Sequence, residues 1–290
     1  MVIPVIHPAW LRPPVGMTDG YSLEMTAKDR PALAEAASLI APETPIAITF
    51  LPGESMDARI AAAADVRAFG FEPMPHLSAR RIGSHEELEQ IVRRTVAEAD
   101  AHRMFLVAGD PPVPVGPFAD TMALLETGLF EQSGVTAIGI AGHPEGHPAM
   151  SEAQCWDALD RKHAEITRRG MATLIVTQFG FDADPFIAWL ETLRARGIDS
   201  PVRIGVPGPA GIKTLMRFAA RCGVGASTAV LAKYGISISK LLGTAGPDAL
   251  VDRLAARLTP AHGPVRLHFY PFGGLTRTVE WINDYEAHHP

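Results

Sequence analysis

The chain has 290 residues, of which 47% are hydrophobic and 20% charged; this composition favours a large buried core and excludes a disordered or fibrous protein. Its formal net charge is -6 and its basic residues are scattered, which argues against a nucleic-acid partner. No apolar run reaches the roughly 18 residues that a membrane span requires, and the proline-rich residues 1–14 do not resemble a signal peptide. We therefore predict a cytoplasmic protein with no membrane partner, in which Cys155 and Cys222 are buried, reduced thiols.

Short runs dense in aliphatic and β-branched residues alternate with helical patterns almost to the end of the chain, as in sheets of buried parallel strands. The predicted strands are Tyr21–Met25, Pro45–Leu51, Glu72–Leu77, Met104–Gly109, Thr136–Ala141, Ala172–Phe179, Val202–Val206 and Val265–Tyr270. The clearest helical patterns, with apolar residues at three- and four-residue spacing, are Ala27–Ala41, His85–Ala101 and Ser151–Arg169.

Polar residues predict where several of these helices begin. Ser84, three residues before Glu87, predicts a capping box for the helix that starts near His85. Ser151 and Asp184 are predicted N-caps, because a short polar side chain can accept from the free backbone N–H groups of a first turn.

Eight strands with intervening helices predict a closed (β/α)8 TIM barrel rather than an open sheet, as a single domain over residues 1–290. The region Gly211–Leu258 contains more helix than one barrel unit needs, so we expect an extra helix in the C-terminal third. Proline and glycine cluster just after the strands, where the loops of a barrel meet at one mouth. These clusters are Leu51–Gly53, Gly109–Pro112, Gly142–Pro148, Val206–Pro209 and Pro271–Gly274.

Three polar residues stand at predicted strand ends. Glu24 lies within an apolar strand, where an unpartnered carboxylate costs free energy. It is therefore either a general acid that donates a proton or the partner of an arginine. Asp110 follows Gly109 and precedes two prolines, which suits either a ligand contact or a simple turn. Gln178 can donate to and accept from a planar heterocycle, or it can serve as a structural strand-end residue.

Other patterns narrow the chemistry. His143 and His147 flank Glu145 in the loop after the fifth strand, but Pro144 and Pro148 oppose the helix that would place both rings on one metal, so we predict no metal site. A loop that hydrogen-bonds a polar cofactor is the preferred interpretation. The chain has neither a Gly-x-Gly-x-x-Gly fingerprint after a strand nor a Gly-x-Ser-x-Gly elbow, so any dinucleotide must bind at the barrel mouth.

In this order along the chain, the motifs resemble those of the methylenetetrahydrofolate reductase family. The matching stretches are Ser22–Glu24, Ala47–Phe50, Pro75–Ser78, Gly109–Pro111, Gly142–Pro148, Thr177–Asp182 and Leu267–Tyr270. The most specific are the Thr-Gln-Phe-x-Phe-Asp and His-Pro-Glu-x-His-Pro sequences that begin at Thr177 and His143.

The resemblance implies interconversion of 5,10-methylene- and 5-methyltetrahydrofolate with NAD(P)H as hydride donor, and FAD as carrier in most members. Glu24 would be the general acid that protonates folate N10, Asp110 the carboxylate that contacts the pterin, and Gln178 the amide that contacts folate and nicotinamide in turn. It also allows a homo-oligomer. In the direction of reduction, the 5-methyltetrahydrofolate product would feed methionine biosynthesis.

The resemblance also assigns residues to the ligands by position. Those that match cofactor contacts are Thr49, His76, Ala108, Gly109, Phe118, His143, His147, Asp157 and Lys162. Those that match or adjoin folate contacts, beside the three catalytic residues, are Phe179, Phe181 and Arg277.

The departures from the family pattern concern the flavin more than the folate. Ala108 stands where an arginine helps to hold FAD, and Gly274 replaces the arginine expected after His-Phe-Tyr. Our hypothesis is that hydride passes directly between NAD(P)H and folate, since an iminium can accept it without a carrier. The alternatives are a folate- or pterin-dependent methyltransferase-type barrel and a partner protein that has lost its chemistry.

Overall fold

The aliphatic runs of the sequence form the eight parallel strands of a closed barrel in the computed structural model, which describes residues 16–222, 224 and 244–289. The strands are β1 (Ser22–Met25), β2 (Pro45–Ile48), β3 (Glu72–Ser78), β4 (Arg103–Val107), β5 (Ala137–Gly142), β6 (Ala172–Phe179), β7 (Val202–Pro207) and β8 (Val265–Tyr270). Each strand pairs in parallel with its sequence neighbours, and β8 pairs with β1 to close the ring. The predicted TIM barrel is confirmed.

Helices follow the strands and cover the barrel. They are α1 (Arg30–Ala36), α2 (Met56–Ala68), α3 (His85–Ala99), α4 (Thr121–Leu125), α5 (Leu129–Gln132), α6 (Glu152–Arg168), α7 (Ala183–Ala195), α8 (Ile212–Cys222), α9 (Asp248–Arg257) and α10 (Leu275–His288). The main core lies between strands and helices, where alternate strand residues such as Leu23, Ile46 and Ile204 are fully buried. A smaller apolar cluster around Met74, Phe105 and Leu174 fills the inside of the barrel.

The strands end earlier than predicted at two places that shape the mouth. The predicted β2 ran to Leu51, but the strand stops at Ile48 and Thr49–Leu51 belong to the loop. The predicted β4 ran to Gly109, but Gly109 has a φ of +93°, which is incompatible with a continuing strand. Both shifts turn predicted strand residues into loop residues at the mouth.

Helix starts differ from the prediction in three places. The Ala27–Ala41 pattern becomes a 3-10 turn (Ala27–Asp29), α1 and a second 3-10 turn (Ala37–Leu39). Ser84 caps α3, but the Glu87 carboxylate accepts from Gly83 rather than from Ser84, so the capping box is incomplete. Asp182, not Asp184, is the N-cap of α7, because the helix begins earlier than the apolar pattern suggested. Ser151 caps α6 as predicted.

In the described part of the stretch between β7 and β8 there are two helices, α8 and α9, where one barrel unit needs a single helix, so the extra helix is confirmed. α9 packs against α7 and completes the outer ring. Ala210–Gly211, just before α8, pairs antiparallel with Thr244–Ala245, which lies between α8 and α9. Residues 225–243, between α8 and that second short strand, lie outside the described part of the chain. So do residues 1–15, where no signal peptide was predicted.

Two further findings concern the predictions from composition. Among the described residues, no helix has both the length and the apolar character that crossing a membrane requires. Cys155 was predicted to be buried but is only partly so, because it lies on α6 at the edge of the buried face that Trp156 and Leu159 form. The side chain of Cys222 lies outside the described part.

The end of β6 contains an irregularity that the sequence does not announce. Its register with β7 shifts between Val176 and Phe179, so that one extra residue is accommodated, as in a β-bulge. The Thr177 hydroxyl accepts a hydrogen bond from the Gly205 backbone N–H at 2.8 Å, which fixes the bulge against β7. A Cβ atom at position 205 would stand 2.5 Å from the Gln178 carbonyl oxygen, so the bulge requires glycine there.

We expect Gly205→Ala to destabilise the protein by about 1–3 kcal/mol, the usual cost of forcing an additional carbon into a packed site. The measurement is the free energy of unfolding in urea. Gly211→Ala is the control, because a Cβ there would meet nothing closer than 4.0 Å. Equal stability of the two variants would mean that the bulge is not held as tightly as these distances indicate.

Candidate active site

The mouth of the barrel contains two adjoining cavities that share one wall. The first, which we call the His76 chamber, has a volume of about 350 Å³ and is lined by Phe50, His76, Ser78, Gly109, Asp110 and His143 among others. The second, the Glu24 chamber, has a volume of about 580 Å³ and is lined by Glu24, Met25, Phe179, Phe218, Phe272 and Leu275 among others. The shared wall consists of Thr49, Leu51, Gln178 and Tyr270.

Glu24 reaches the mouth because side chains alternate along β1. Leu23 and Met25 are buried against the helices, which leaves Ser22 and Glu24 on the inner face. The Glu24 carboxylate lies 3.8 Å from Nε2 of His268, and the other ring nitrogen of His268 is hydrogen-bonded to the Ser22 hydroxyl at 2.8 Å. Ser22 thus orients His268, and His268 in turn stands beside the carboxylate.

Burial keeps this histidine neutral. His268 is 1% exposed, and the loss of hydration lowers its pKa despite the nearby Glu24 carboxylate. His76, across the barrel, has its pKa lowered to about 4 for the same reason, also against the attraction of Glu24. Near neutral pH, Glu24 therefore has two uncharged imidazoles around it.

Gln178 stands in the wall between the chambers because it follows Leu174 and Val176 on the inner face of β6. Its side-chain oxygen Oε1 is inaccessible to solvent and accepts no hydrogen bond from the described residues. An unsatisfied buried acceptor costs free energy, which a group that brings an N–H or O–H donor would recover. Gln178 therefore offers an unused acceptor at this wall.

A glycine and an aromatic ring set the position of His76. A Cβ at Gly139 would come within 2.3 Å of the Phe105 ring, so the glycine gives that ring its space inside the barrel. His76 stacks on Phe105, with ring centroids 4.6 Å apart and planes 28° from parallel. The stack fixes the histidine as one wall of its chamber.

Gly109 lies directly over a buried serine. A Cβ at this position would stand 2.1 Å from the Ser78 hydroxyl oxygen, and its φ of +93° also favours glycine. That hydroxyl is inaccessible to solvent and has no hydrogen-bond partner among the described residues. The glycine at position 109 therefore makes room for the Ser78 hydroxyl in the wall of the chamber.

Asp110 lies on the exposed rim rather than in the depth of the chamber. Its Oδ1 atom accepts two hydrogen bonds from Arg81, from Nε at 3.0 Å and from Nη2 at 2.5 Å. The carboxylate is 72% exposed, so solvent screens this pair strongly. Arg81 was not among the residues predicted to form the site.

The histidine loop after β5 borders the His76 chamber through His143. The His147 ring meets the His143 ring edge-on, with centroids 5.1 Å apart. Burial, with the nearby charges of His147 and Lys162, lowers the pKa of His143 to about 4. Lys162 is itself buried, which lowers its pKa.

Several residues assigned to ligands by resemblance lie outside both chambers. Phe118 is buried and packs edge-on against His85, with centroids 4.9 Å apart. Asp157 is exposed on α6 and faces Arg161 at 3.8 Å. Arg277 is exposed on α10 and lines neither chamber. These three positions were carried over in a loose register.

The remaining assignments divide between the chambers and the layer behind them. Thr49 and Gly109 line the His76 chamber, and Phe179 lines the Glu24 chamber. Phe181 is buried behind Phe179, at a centroid distance of 5.9 Å. Ala108 uses its carbonyl oxygen to accept from the Arg80 backbone N–H and offers no charged group.

Sequence reasoning missed the aromatic wall of the Glu24 chamber. Phe218 of α8 stacks on Phe272 with centroids 4.1 Å apart, and Tyr270 lies parallel to Phe272 at 5.8 Å. The alternation of His268 and Tyr270 with buried neighbours in β8 could have indicated two inward side chains. No sequence signal pairs Phe218 with Phe272, because α8 lies outside the regular barrel pattern.

The described residues contain no group of three histidine, cysteine or acidic side chains arranged to hold a metal ion. His143 and His147 stand together without a third such residue. The site therefore consists of a carboxylate, an unsatisfied amide, neutral imidazoles and aromatic walls.

Comparison with known proteins gives matches along most of the chain. Residues 25–271 match the model of the methylenetetrahydrofolate reductase family. The chain is 29% identical over 150 residues to 5,10-methylenetetrahydrofolate reductase of Pectobacterium carotovorum subsp. carotovorum, in a match that covers 52% of this chain and 48% of the relative. It is 33% identical over 120 residues to methylenetetrahydrofolate reductase 2 of Saccharomyces cerevisiae, over 39% of this chain and 19% of that one. The matches thus span less than half the length of these relatives.

Among solved structures, the dihydropteroate synthase FolP of Thermus thermophilus superposes with a TM-score of 0.51 over 94% of both chains. Its sequence identity is 13%, so this likeness concerns the fold alone. The family match, in contrast, runs from the last residue of β1 to the residue after β8. The chain belongs to the methylenetetrahydrofolate reductase family.

Proposed function

We propose that this chain interconverts 5,10-methylenetetrahydrofolate and 5-methyltetrahydrofolate by hydride transfer with NAD(P)H. The observation that carries the proposal is the pair of chambers with a shared wall, because hydride transfer needs two rings in contact. A folate would occupy the Glu24 chamber and the nicotinamide the His76 chamber. Gln178 borders both, which suits a residue that contacts each ring.

The Glu24 chamber has the chemistry that a folate needs. Phe179, Phe218 and Phe272 offer apolar ring faces to the pterin and aminobenzoyl groups. The Glu24 carboxyl group would donate a proton to folate N10, which opens the five-membered ring to an iminium. The iminium carbon then accepts the hydride and becomes the methyl group at N5.

The neutral histidines support Glu24 as the proton donor. His76 and His268 both have lowered pKa values, so at neutral pH neither is an imidazolium that could serve as the acid. Of these three groups, the Glu24 carboxyl group is then the acid that the proposed reaction uses. Ser22 and His268 then serve to position Glu24, through the 2.8 Å and 3.8 Å contacts described above.

The residues that resemblance assigns to FAD do not assemble into one flavin site. Ala108 provides no cation, while Phe118 and Asp157 lie outside both chambers. Thr49, His76, Gly109 and His143 remain at the mouth, and they suffice to enclose one planar ring. This division supports direct transfer from the nicotinamide, with no step through a flavin.

Glu24→Gln should reduce kcat by a factor of about 10²–10⁴, the range in which general acids contribute, while the KM for folate changes little. Steady-state kinetics with 5,10-methylenetetrahydrofolate is the measurement. Glu35→Gln, a change at an exposed position of α1, is the control. Methyl transfer that persists in Glu24→Gln would favour the methyltransferase-type alternative.

The purified protein should oxidise NADH or NADPH with 5,10-methylenetetrahydrofolate in the absence of FAD, and added FAD should not raise the rate. The reason is that the two proposed ligand positions adjoin at the shared wall, so the proposed transfer needs no carrier between them. Loss of dihydronicotinamide absorbance reports the reaction. Activity only after FAD is added would disprove direct transfer while leaving the folate assignment intact.

His76 should make the protein less stable in acid. Because its pKa is about 4 when folded and ordinarily near 6.5, the unfolded chain binds the proton first as the pH falls. The free energy of unfolding should therefore decline between about pH 6.5 and pH 4 and be unaffected by this group above that range. His76→Gln should reduce the slope by up to one proton, and His288→Gln, at an exposed position, should not. Urea unfolding at several pH values checks this, and equal slopes would contradict it.

A further inference from the structure

Two arginines flank Phe50 at the outer edge of the His76 chamber. The guanidinium carbon of Arg59, from α2, lies 4.5 Å from the centroid of the Phe50 ring. That of Arg81, from the turn after β3, lies 5.2 Å from the same centroid. Phe50 itself lines the chamber and neither arginine does, so two positive charges contact a ring of the chamber wall from outside the chamber.

The guanidinium group of Arg59 has no close anionic partner among the described residues. The side chain is half-buried, and its Nε atom is inaccessible to solvent and donates no hydrogen bond. Burial lowers its pKa, against the attraction of Glu54 and Glu87. One oxygen of each carboxylate accepts from the backbone, Glu54 from the Leu51 N–H and Glu87 from the Gly83 N–H, while Oε1 of Glu54 is buried without a hydrogen-bond partner. A partly desolvated cation in this state gains free energy from a bound anion.

Arg81 is held in place on one side. Its Nε and Nη2 atoms both donate to a single oxygen of Asp110. The guanidinium is therefore fixed at the rim, close to the ring that Arg59 also contacts. A planar guanidinium with fixed orientation suits recognition of phosphate oxygens.

The chamber itself offers no other cation. Its lining contains no lysine or arginine among the described residues, and its histidines His76 and His143 are neutral because their pKa values are near 4. Any doubly charged group of a ligand in the chamber must therefore be neutralised at the rim. Phe50 directly follows Thr49, which borders both chambers. The ring that the two arginines contact is therefore next in sequence to the shared wall.

We propose that Arg59 and Arg81 bind the diphosphate of the dinucleotide hydride donor, with its nicotinamide at Thr49 and Gln178. The assignment rests on the proposed function for the choice of ligand. The chemistry recognised is a dinucleotide diphosphate, which NAD(P)H and FAD share. Along the chamber, the reacting ring would lie at Thr49 and Gln178 and the diphosphate at the two arginines beside Phe50. This order favours the nicotinamide dinucleotide.

The test uses Arg59→Gln and Arg81→Gln in the full-length protein, with Arg93→Gln as the matched control. Arg93 is exposed on α3, where it pairs with Glu89. The first readout is binding of ADP by calorimetry, which requires no turnover. Each chamber variant should weaken ADP binding about tenfold, equivalent to about 1.4 kcal/mol, and the control should match the natural protein. Arg59→Lys keeps the charge and should recover part of the loss.

The second readout compares two hydride donors. NADH carries the diphosphate, whereas 1-benzyl-1,4-dihydronicotinamide carries none. The preference for NADH is the ratio of the two kcat/KM values, and it should fall about tenfold in Arg59→Gln. At high salt this fall should be smaller, because screening weakens the contribution of the arginine charge. Circular dichroism of each variant verifies folding.

Four outcomes separate the ideas. ADP binding and donor preference that match the control would overturn the diphosphate site. So would an equal loss with both donors, since that indicates a packing role for Arg59 beside Phe50. Weakened FAD binding with unchanged NADH kinetics would overturn the assignment to the nicotinamide dinucleotide. Arginine-dependent ADP binding without any folate-dependent oxidation of NADH would support the diphosphate site and refute the proposed function.

Discussion

The bulge at the end of β6 is the constraint on which the geometry of the mouth depends. Alternation along β6 points Leu174, Val176 and Gln178 into the barrel, and the shift in register after Val176 sets how the backbone at Gln178 meets β7 at the wall between the chambers. The Thr177 hydroxyl secures the bulge to the backbone of β7, and Tyr270 adds a hydrogen bond to the Thr177 carbonyl at 3.0 Å. Three strands thus cooperate to hold one amide.

Electrostatics at the mouth follow from burial rather than from abundant charge. Glu24 is surrounded by imidazoles that desolvation keeps neutral, so its interactions with them do not require a fixed ion pair. The positive charges are displaced to the rim, at Arg59 and Arg81. This separation leaves the described lining of both chambers without a lysine or arginine, with the Glu24 carboxylate inside and the guanidinium groups at the edge.

The barrel could be predicted from the sequence because periodicity reports burial, and burial decides which segments become strands and helices. Glu24, Asp110 and Gln178 could be singled out because polar residues at strand ends are rare in such runs. Three features could not be predicted from the sequence, because each depends on contacts between distant segments. They are the bulge at Thr177, the Phe218–Phe272 stack and the Arg59–Phe50–Arg81 group. Phe118 lies in the loop after β4 and Asp157 on the exposed face of α6, both outside the two chambers, so their assignment to a cofactor stays a prediction.

The Glu24 chamber takes part of its wall from outside the ring of strands. Phe218 belongs to α8, the helix added between β7 and β8, while Phe179 and Tyr270 belong to the barrel itself. The backbone hydrogen bonds that close the barrel do not pass through α8. Ile212, Leu215 and Ala219 anchor α8 in the main core, so the packing of one helix outside the ring sets the width of the chamber, while β1 alone sets the place of the Glu24 carboxylate.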